Sequence, residues 1–259
     1  MESQKSKSLI LSLIIVCAFS LAGFSQSNNS NSKTKPTVIF VHGLWTDGSA
    51  WNKVTALLQA QGYPVISVQN PTTSLESDVA ATNNAIARAK GDVVIVGHSW
   101  GGMVITEAGI AEKVKALVYI TALAPEKGES VGSLSSKFAA TKVGNYIQNT
   151  GGFLTLSEQG FKLAFADDLS VKDQKLIFST QPPTLENIFA EVAKNEAWKI
   201  KPSYYLVTRT DKALHPELQR MLAKRAKAFT VEVDASHVPM LSKPEAVFNI
   251  IKEALKKVK

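Results

Sequence analysis

Residues 93–102, VVIVGHSWGG, restrict what this chain can fold into more than any other stretch. Residues 93–96 (Val, Val, Ile, Val) read as a short buried strand, Gly97-His98-Ser99-Trp100-Gly101-Gly102 as a turn, and residues 103–111 as a helix. A serine at so tight a strand-to-helix turn has a cramped backbone that pushes its hydroxyl out of the surface. The positions two residues to either side then have no room for a Cβ. Gly97 and Gly101 meet that demand, and Ser99 becomes the candidate nucleophile.

The rest of the chain alternates in the same way. A strand over 37–41 enters the turn His42-Gly43-Leu44-Trp45, and residues 49–61 have helical spacing with Trp51, Val54, Leu57 and Leu58 on one face. A strand over 65–68 precedes a helix over 74–90, capped by Ser74 and stopped at Gly91. Further strands are read at 116–123, 204–207 and 229–233, with helices at 216–226 and 244–258. The expectation is an α/β fold: a mostly parallel sheet of about six strands, helices on both faces, right-handed crossovers. At 259 residues and 45% hydrophobic content, this is one domain over 36–259. The alternation breaks at about 125–202, where only helix-like pieces (158–165, 171–178, 185–197) and a Gly151-Gly152 hairpin turn are read. Six of the eleven phenylalanines fall there, so the segment must pack on something apolar. It is read as a small helical cap over a pocket, in preference to an ordinary helical layer.

Residues 1–25 form a separate unit. Lys5 and Lys7 precede an apolar run over 9–19, and Gly23 and Ser25 precede Gln26, the pattern of a signal peptide cleaved near Ser25. The run is shorter than the ~20 residues needed to cross a bilayer, which favours cleavage over an anchor. Lipid attachment at Cys17 is disfavoured by the bulky Val16. Residues 26–35 are a flexible leader, and the mature protein is expected to be periplasmic or secreted, with no stable membrane insertion. Cys17 is the only cysteine, so the mature chain has no disulfide and no thiol nucleophile. The net charge of +7 comes from scattered lysines with no interleaved aromatics, which argues against a nucleic-acid partner.

Serine needs a base within hydrogen-bond reach, itself oriented by a third group. Of four histidines, His42 and His98 sit inside turns, His98 pointing away from the adjacent serine, and His215 opens a helix at the surface. His237 follows the last strand in Asp234-Ala235-Ser236-His237-Val238-Pro239, at the edge of the sheet where Ser99 also opens, and is the candidate base. Asp211, just past the strand over 204–207, is the candidate orienting acid; Asp234 competes but is too near in the same loop. The backbone N–H groups of Leu44 and Trp100 are candidate donors to a developing oxyanion.

Taken together, HGLW, GHSWGG, TRTD and DASH on alternating strands and helices resemble the α/β-hydrolase superfamily from Pro36 to the end. The opening VHGLWTDGSAWNKVTALLQAQGYPV looks like the branch of plant hydroxynitrile lyases, plant methyl esterases and bacterial esterase-like relatives. The resemblance implies a Ser99–His237–Asp211 hydrolase with Leu44 and Trp100 as oxyanion hole, no metal and no organic cofactor. The lyases carry lysine after the catalytic histidine; here that position is Val238, which argues against cyanohydrin cleavage. The expected activity is hydrolysis of small or medium, largely apolar carboxylic esters through an acyl-enzyme. A cofactor-free perhydrolase or haloperoxidase-like enzyme, and a non-catalytic small-ligand-binding protein on the same fold, are the alternatives.

Overall fold

The structure is a computed structural model that describes residues 34–258. The expected signal peptide, Cys17 and all but the end of the leader lie outside the described residues. Apolar strands without polar interruption can be buried on both faces only in a parallel sheet between helical layers. The chain builds that sheet in order: β1 (Thr37–Val41), α1 (Asn52–Ala60) after a 3-10 turn, β2 (Val65–Ser67), α2 (Leu75–Arg88), β3 (Val93–His98), α3 (Gly101–Ala108) and β4 (Val114–Ile120). Every residue of β1 and β3 is buried, and Phe40 of β1 stacks on Trp51 with ring centroids 4.4 Å apart.

Beyond β4 the chain leaves the main sheet. It forms α4 (Val131–Ser135), the hairpin β5 (Ile147–Thr150) and β6 (Phe153–Leu156), then α5 (Glu158–Gly160), which runs into a π-helical turn over Phe161–Phe165, then α6 (Val171–Thr180) and β7 (Thr184–Leu185). The main sheet resumes with β8 (Ser203–Thr208), α7 (Pro216–Arg225) and β9 (Phe229–Val233), and the described chain closes with α8 (Pro239–Ser242) and α9 (Pro244–Lys257). No helix among the described residues is long and apolar enough to cross a membrane.

The six strands lie in the order β2-β1-β3-β4-β8-β9, all parallel, as the alternation implies. Because β1 connects outward to β2 while β3 connects the other way to β4, right-handed crossovers place α1 on one face and α2, α3 and α7 on the other. The contacts of α9 with α1 and of α2 with α3 follow that division. Between β1 and β3 the winding reverses, and the loops leaving these two strands part to open a crevice. Leu44 follows β1 and Ser99 follows β3, so both stand at that opening.

The segment between β4 and β8 departs from its sequence reading in two places. A three-stranded antiparallel sheet, β5-β6-β7, stands where only a hairpin turn was legible. Its strands are two to four residues long and β5 is mostly exposed and polar, so no period-two pattern marks them. The turn itself is as read: Gly151 and Gly152 have φ of 61° and 85°, the two left-handed residues a two-residue hairpin requires. The helix-like piece at 185–197 holds a 3-10 turn, Glu186–Ala190, then runs extended until a second 3-10 turn starts at Ala197. Its backbone finds partners elsewhere: Ala193 N–H donates to Glu129 O, and Lys194 and Asn195 N–H donate to the buried carboxylate of Glu107 on α3. Among the six phenylalanines, Phe161 and Phe165 are fully buried, whereas Phe153 is exposed.

Glu129, at the start of this segment, accepts hydrogen bonds from Arg225 of α7, from Lys137 at 2.5 Å and from Glu126 N–H at 2.9 Å. Burial alone pushes its carboxyl up, but these partners more than offset it and hold the pKa at about 2. A carboxylate depressed in the fold stabilises above its unfolded pKa near 4.5 and loses that contribution as pH falls toward 2. Glu129→Gln should therefore cost about 2 kcal/mol at neutral pH and much less at pH ~3. Urea denaturation at the two pH values checks this; an equal cost at both excludes the ion pair as its source.

Candidate active site

Backbone geometry at the turn after β3 sets the position of Ser99. Its φ is 51°, a left-handed value that few side chains adopt. A Cβ on Gly97 would stand 2.5 Å from Gly101 O, and one on Gly101 would stand 2.3 Å from Val41 O, so chain packs on chain with no space for either methyl. The two glycines of the motif thus serve strand-to-helix contact. Gly101→Ala forces β1 and α3 apart and should cost about 3 kcal/mol or more, read by chemical denaturation. A variant as stable as the parent would mean this contact relaxes freely.

Three side chains from separate loops meet at this turn. His237 Nε2 lies 2.8 Å from Ser99 Oγ, and His237 Nδ1 lies 2.7 Å from Asp211 Oδ2. Both His237 and Asp211 are buried, whereas Ser99 is half-buried and faces a cavity. An ionised Asp211 only accepts, so Nδ1–H donates to it and Nε2 is left as acceptor for the serine hydroxyl. Burial alone raises the Asp211 carboxyl, but the adjacent imidazole and hydrogen bonds from His237, Thr121 and Leu214 N–H outweigh it and hold the group below its ordinary value.

Asp211 is fixed from every side. Its Oδ1 accepts the N–H groups of Ala213 and Leu214 at 2.7 and 2.9 Å; its Oδ2 accepts from Thr121 Oγ1 at 2.6 Å and Gln219 Nε2 at 2.9 Å. Thr208 Oγ1 donates to Thr121 Oγ1 at 2.9 Å. Thr121, Thr208 and Gln219 escape the motif reading. The signal for them is polar residues in apolar company: Thr121 and Thr208 at the ends of buried strands, Gln219 between Leu218 and Leu222 on α7. Asp234, the competing acid, is exposed and takes Arg209 Nε at 2.7 Å.

The other histidines are structural in geometry. His42 Nε2 accepts Asn70 N–H at 2.8 Å, so its Nδ1–H donates to Gly43 O at 2.8 Å. That neutral form agrees with its lowered pKa, caused first by burial, and it braces the turn carrying Leu44. His98 points away from Ser99, as expected, and its Nε2–H donates to the backbone carbonyl of His237 at 2.7 Å. Burial drives its pKa well down, so the ring beside His237 stays neutral. His215 opens α7 as read, capping it while partly exposed, and it also stacks on Phe138 with centroids 5.3 Å apart.

The insertion also reaches the base. Phe165 O accepts His237 N–H at 3.2 Å, the Phe165 ring meets the imidazole edge-on at 5.0 Å, and Asp168 accepts both Ser236 N–H at 3.0 Å and Ser236 Oγ–H at 2.5 Å. The backbone N–H groups of Leu44 and Trp100 make no hydrogen bond to other described residues, and both residues border the cavity beside Ser99. That cavity has a volume of about 410 Å³. Leu44, Trp45 and Leu123 line it from the loops after β1 and β4, Val131, Phe138 and Phe189 come from the insertion, and no lining residue carries a side-chain carboxylate, ammonium or guanidinium.

A hydroxyl bonded to an imidazole that is bonded in turn to a carboxylate, beside two free N–H groups, can perform acyl transfer. The fold defines the class: residues 38–250 match the alpha/beta hydrolase family, and the chain belongs to it. Over 248 residues it is 25% identical to Methylesterase 1 of Arabidopsis thaliana, covering 83% of this chain and 94% of that one. A stretch of 129 residues is 33% identical to the carbendazim hydrolyzing esterase of a Nocardioides species, 44% of this chain and 52% of the relative. In structure it is similar to a pyrethroid hydrolase from Sphingobium faniae JZ-2, with a TM-score of 0.71, 22% identity, and 86% and 98% of the two chains covered.

Proposed function

We propose that the protein is a carboxylic-ester hydrolase that works through an acyl-enzyme on Ser99. The observation that carries this reading is the continuous chain Ser99–His237–Asp211, opening on an apolar cavity. Ser99 Oγ attacks the ester carbonyl while His237 Nε2 takes its proton, and Asp211 steadies the imidazolium. The N–H groups of Leu44 and Trp100 meet the oxygen as it becomes negative. His237 then gives the proton to the departing alkoxide and, in the second half, takes one from water to release the acid. On this reading the residues between β4 and β8 are a cap; their lining of the pocket and their contacts to the loop of His237 support it.

The cavity supports one substrate class. Its walls are aliphatic and aromatic, with Ser135, Ser136 and Thr141 as hydroxyls. A carboxylate or ammonium on the bound group would lose its hydration with no counter-charge. Neutral esters with a medium apolar acyl or aryl group should therefore exceed anionic analogues in kcat/KM by about 100-fold or more. Aryl esters of graded acyl length, run with labelling of Ser99 by a fluorophosphonate, test the reading. A folded protein that is neither labelled at Ser99 nor active on any of them rules it out and favours a binding role. The N-terminal pattern supports export; on that reading, N-terminal sequencing of the secreted or periplasmic protein should begin at Gln26.

A further inference from the structure

Asp78 lies in α2, completely buried, with no cation against it among the described residues. A lone buried carboxylate is costly, so its contacts call for an account. Its Oδ2 accepts the indole Nε1–H of Trp100 at 2.7 Å and its Oδ1 accepts the backbone N–H of Thr72 at 2.8 Å. Two donors thus address two different oxygens. An amide cannot replace this arrangement, because its NH₂ would meet one of those N–H groups donor to donor.

Each donor leads somewhere. Trp100 directly follows Ser99, its indole is 1% exposed, and it borders the cavity. Thr72 is fully buried with φ of 53°; its carbonyl accepts Leu185 N–H at 3.0 Å, and its hydroxyl lies 3.0 Å from Pro183 O. Asp78 therefore joins the turn beside the nucleophile to the residues around β7 of the insertion.

We propose that Asp78 is a positioning residue for ester hydrolysis: by holding the Trp100 indole, it fixes the direction in which the Trp100 backbone N–H meets the developing oxyanion. This rests on the reading of Ser99 as nucleophile and adds to it a group that never touches substrate. Burial, first of all, pushes the Asp78 carboxyl up to about 6, against the hydrogen bonds from Trp100 and Thr72. The charged side chain facing it from the insertion is Glu191, which pushes in the same direction and is itself engaged with Leu75 N–H at 2.5 Å. On protonation one oxygen becomes a hydroxyl, a poorer acceptor for an N–H, so the hold on Trp100 is full above about pH 6 and weakened below it.

The test compares the parent protein, Asp78→Asn, Trp100→Phe and Ser99→Ala in kcat and KM for a neutral aryl ester across the acid range, with thermal melting of each. Asp78→Asn is expected to lower kcat about 10-fold with KM little changed. The acid limb of the parent's log kcat profile should carry an ionisation that is absent from that of Asp78→Asn. Trp100→Phe removes the indole N–H and keeps the backbone donor, so it should lower kcat to a similar degree. If Asp78→Asn does not fold, Trp100→Phe decides. Either variant, folded, with parental kcat and an unchanged acid limb overturns the proposal, as does a loss confined to KM. Hydrolysis surviving in Ser99→Ala instead refutes the acyl-enzyme reading, a separate outcome from failure of the Asp78 variants alone.

Discussion

Alanine in place of Ser99 should lower kcat for ester hydrolysis by about 10⁵-fold, with His237→Ala losing nearly as much and the double variant no more than either. The reason is the 2.8 Å contact between Ser99 Oγ and His237 Nε2, which makes the pair one functional unit. A hydroxyl without its base is barely ionised at neutral pH, and a base without the hydroxyl has nothing to activate but water. Ser99→Ala should fold, since Ser99 is half-buried and its strained φ of 51° is backbone geometry that removing one oxygen does not change; the buried His237→Ala needs the folding control most. Steady-state rates with circular dichroism as a folding control decide it. Additive losses in the double variant would mean that the two residues act independently.

Asp211→Asn is the second large effect, about 10⁴-fold in kcat. The substituted group presents one acceptor and one NH₂ where Oδ2 now accepts from His237, Thr121 and Gln219 and Oδ1 from two backbone N–H groups. If the NH₂ faces His237 it turns the imidazole to the wrong tautomer, with Nε2 protonated toward Ser99. If it faces the other way it meets Ala213 and Leu214 N–H. Stability should fall too, by about 2 kcal/mol, because a buried donor is left without a partner. Imidazole proton resonances in the two proteins report the tautomer directly. An unchanged tautomer with full activity would remove Asp211 from the proposed chemistry.

The strand-turn-helix at Ser99 was legible because its glycines answer to local geometry. The mostly parallel sheet of about six strands was legible because alternating apolar strands and helices leave few ways to close, whereas the strand order was not. The convergence of Asp211 and His237 was readable from position alone, since each falls just past the end of a parallel strand. What escaped was whatever depends on partners distant in sequence. Residues 191–195 have helical spacing yet run extended, because Glu129 and Glu107 offer their backbone better hydrogen bonds. Gln219 and Asp78 look like ordinary polar positions on helices until the fold shows which carboxylate or indole each one meets. The stacking of His215 on Phe138 is likewise invisible in the sequence.

The bonds from Phe165 and Asp168 to the loop of His237 bear on how this scaffold could diversify. The same chain segment that lines the cavity also holds the loop of His237, so the two are not free to be redesigned separately. A chimera given a foreign segment between β4 and β8 would gain new walls and a loosened imidazole together. Changes of preference in this lineage should accordingly accumulate as side-chain exchanges at Val131, Phe138 or Phe189 rather than as wholesale swaps.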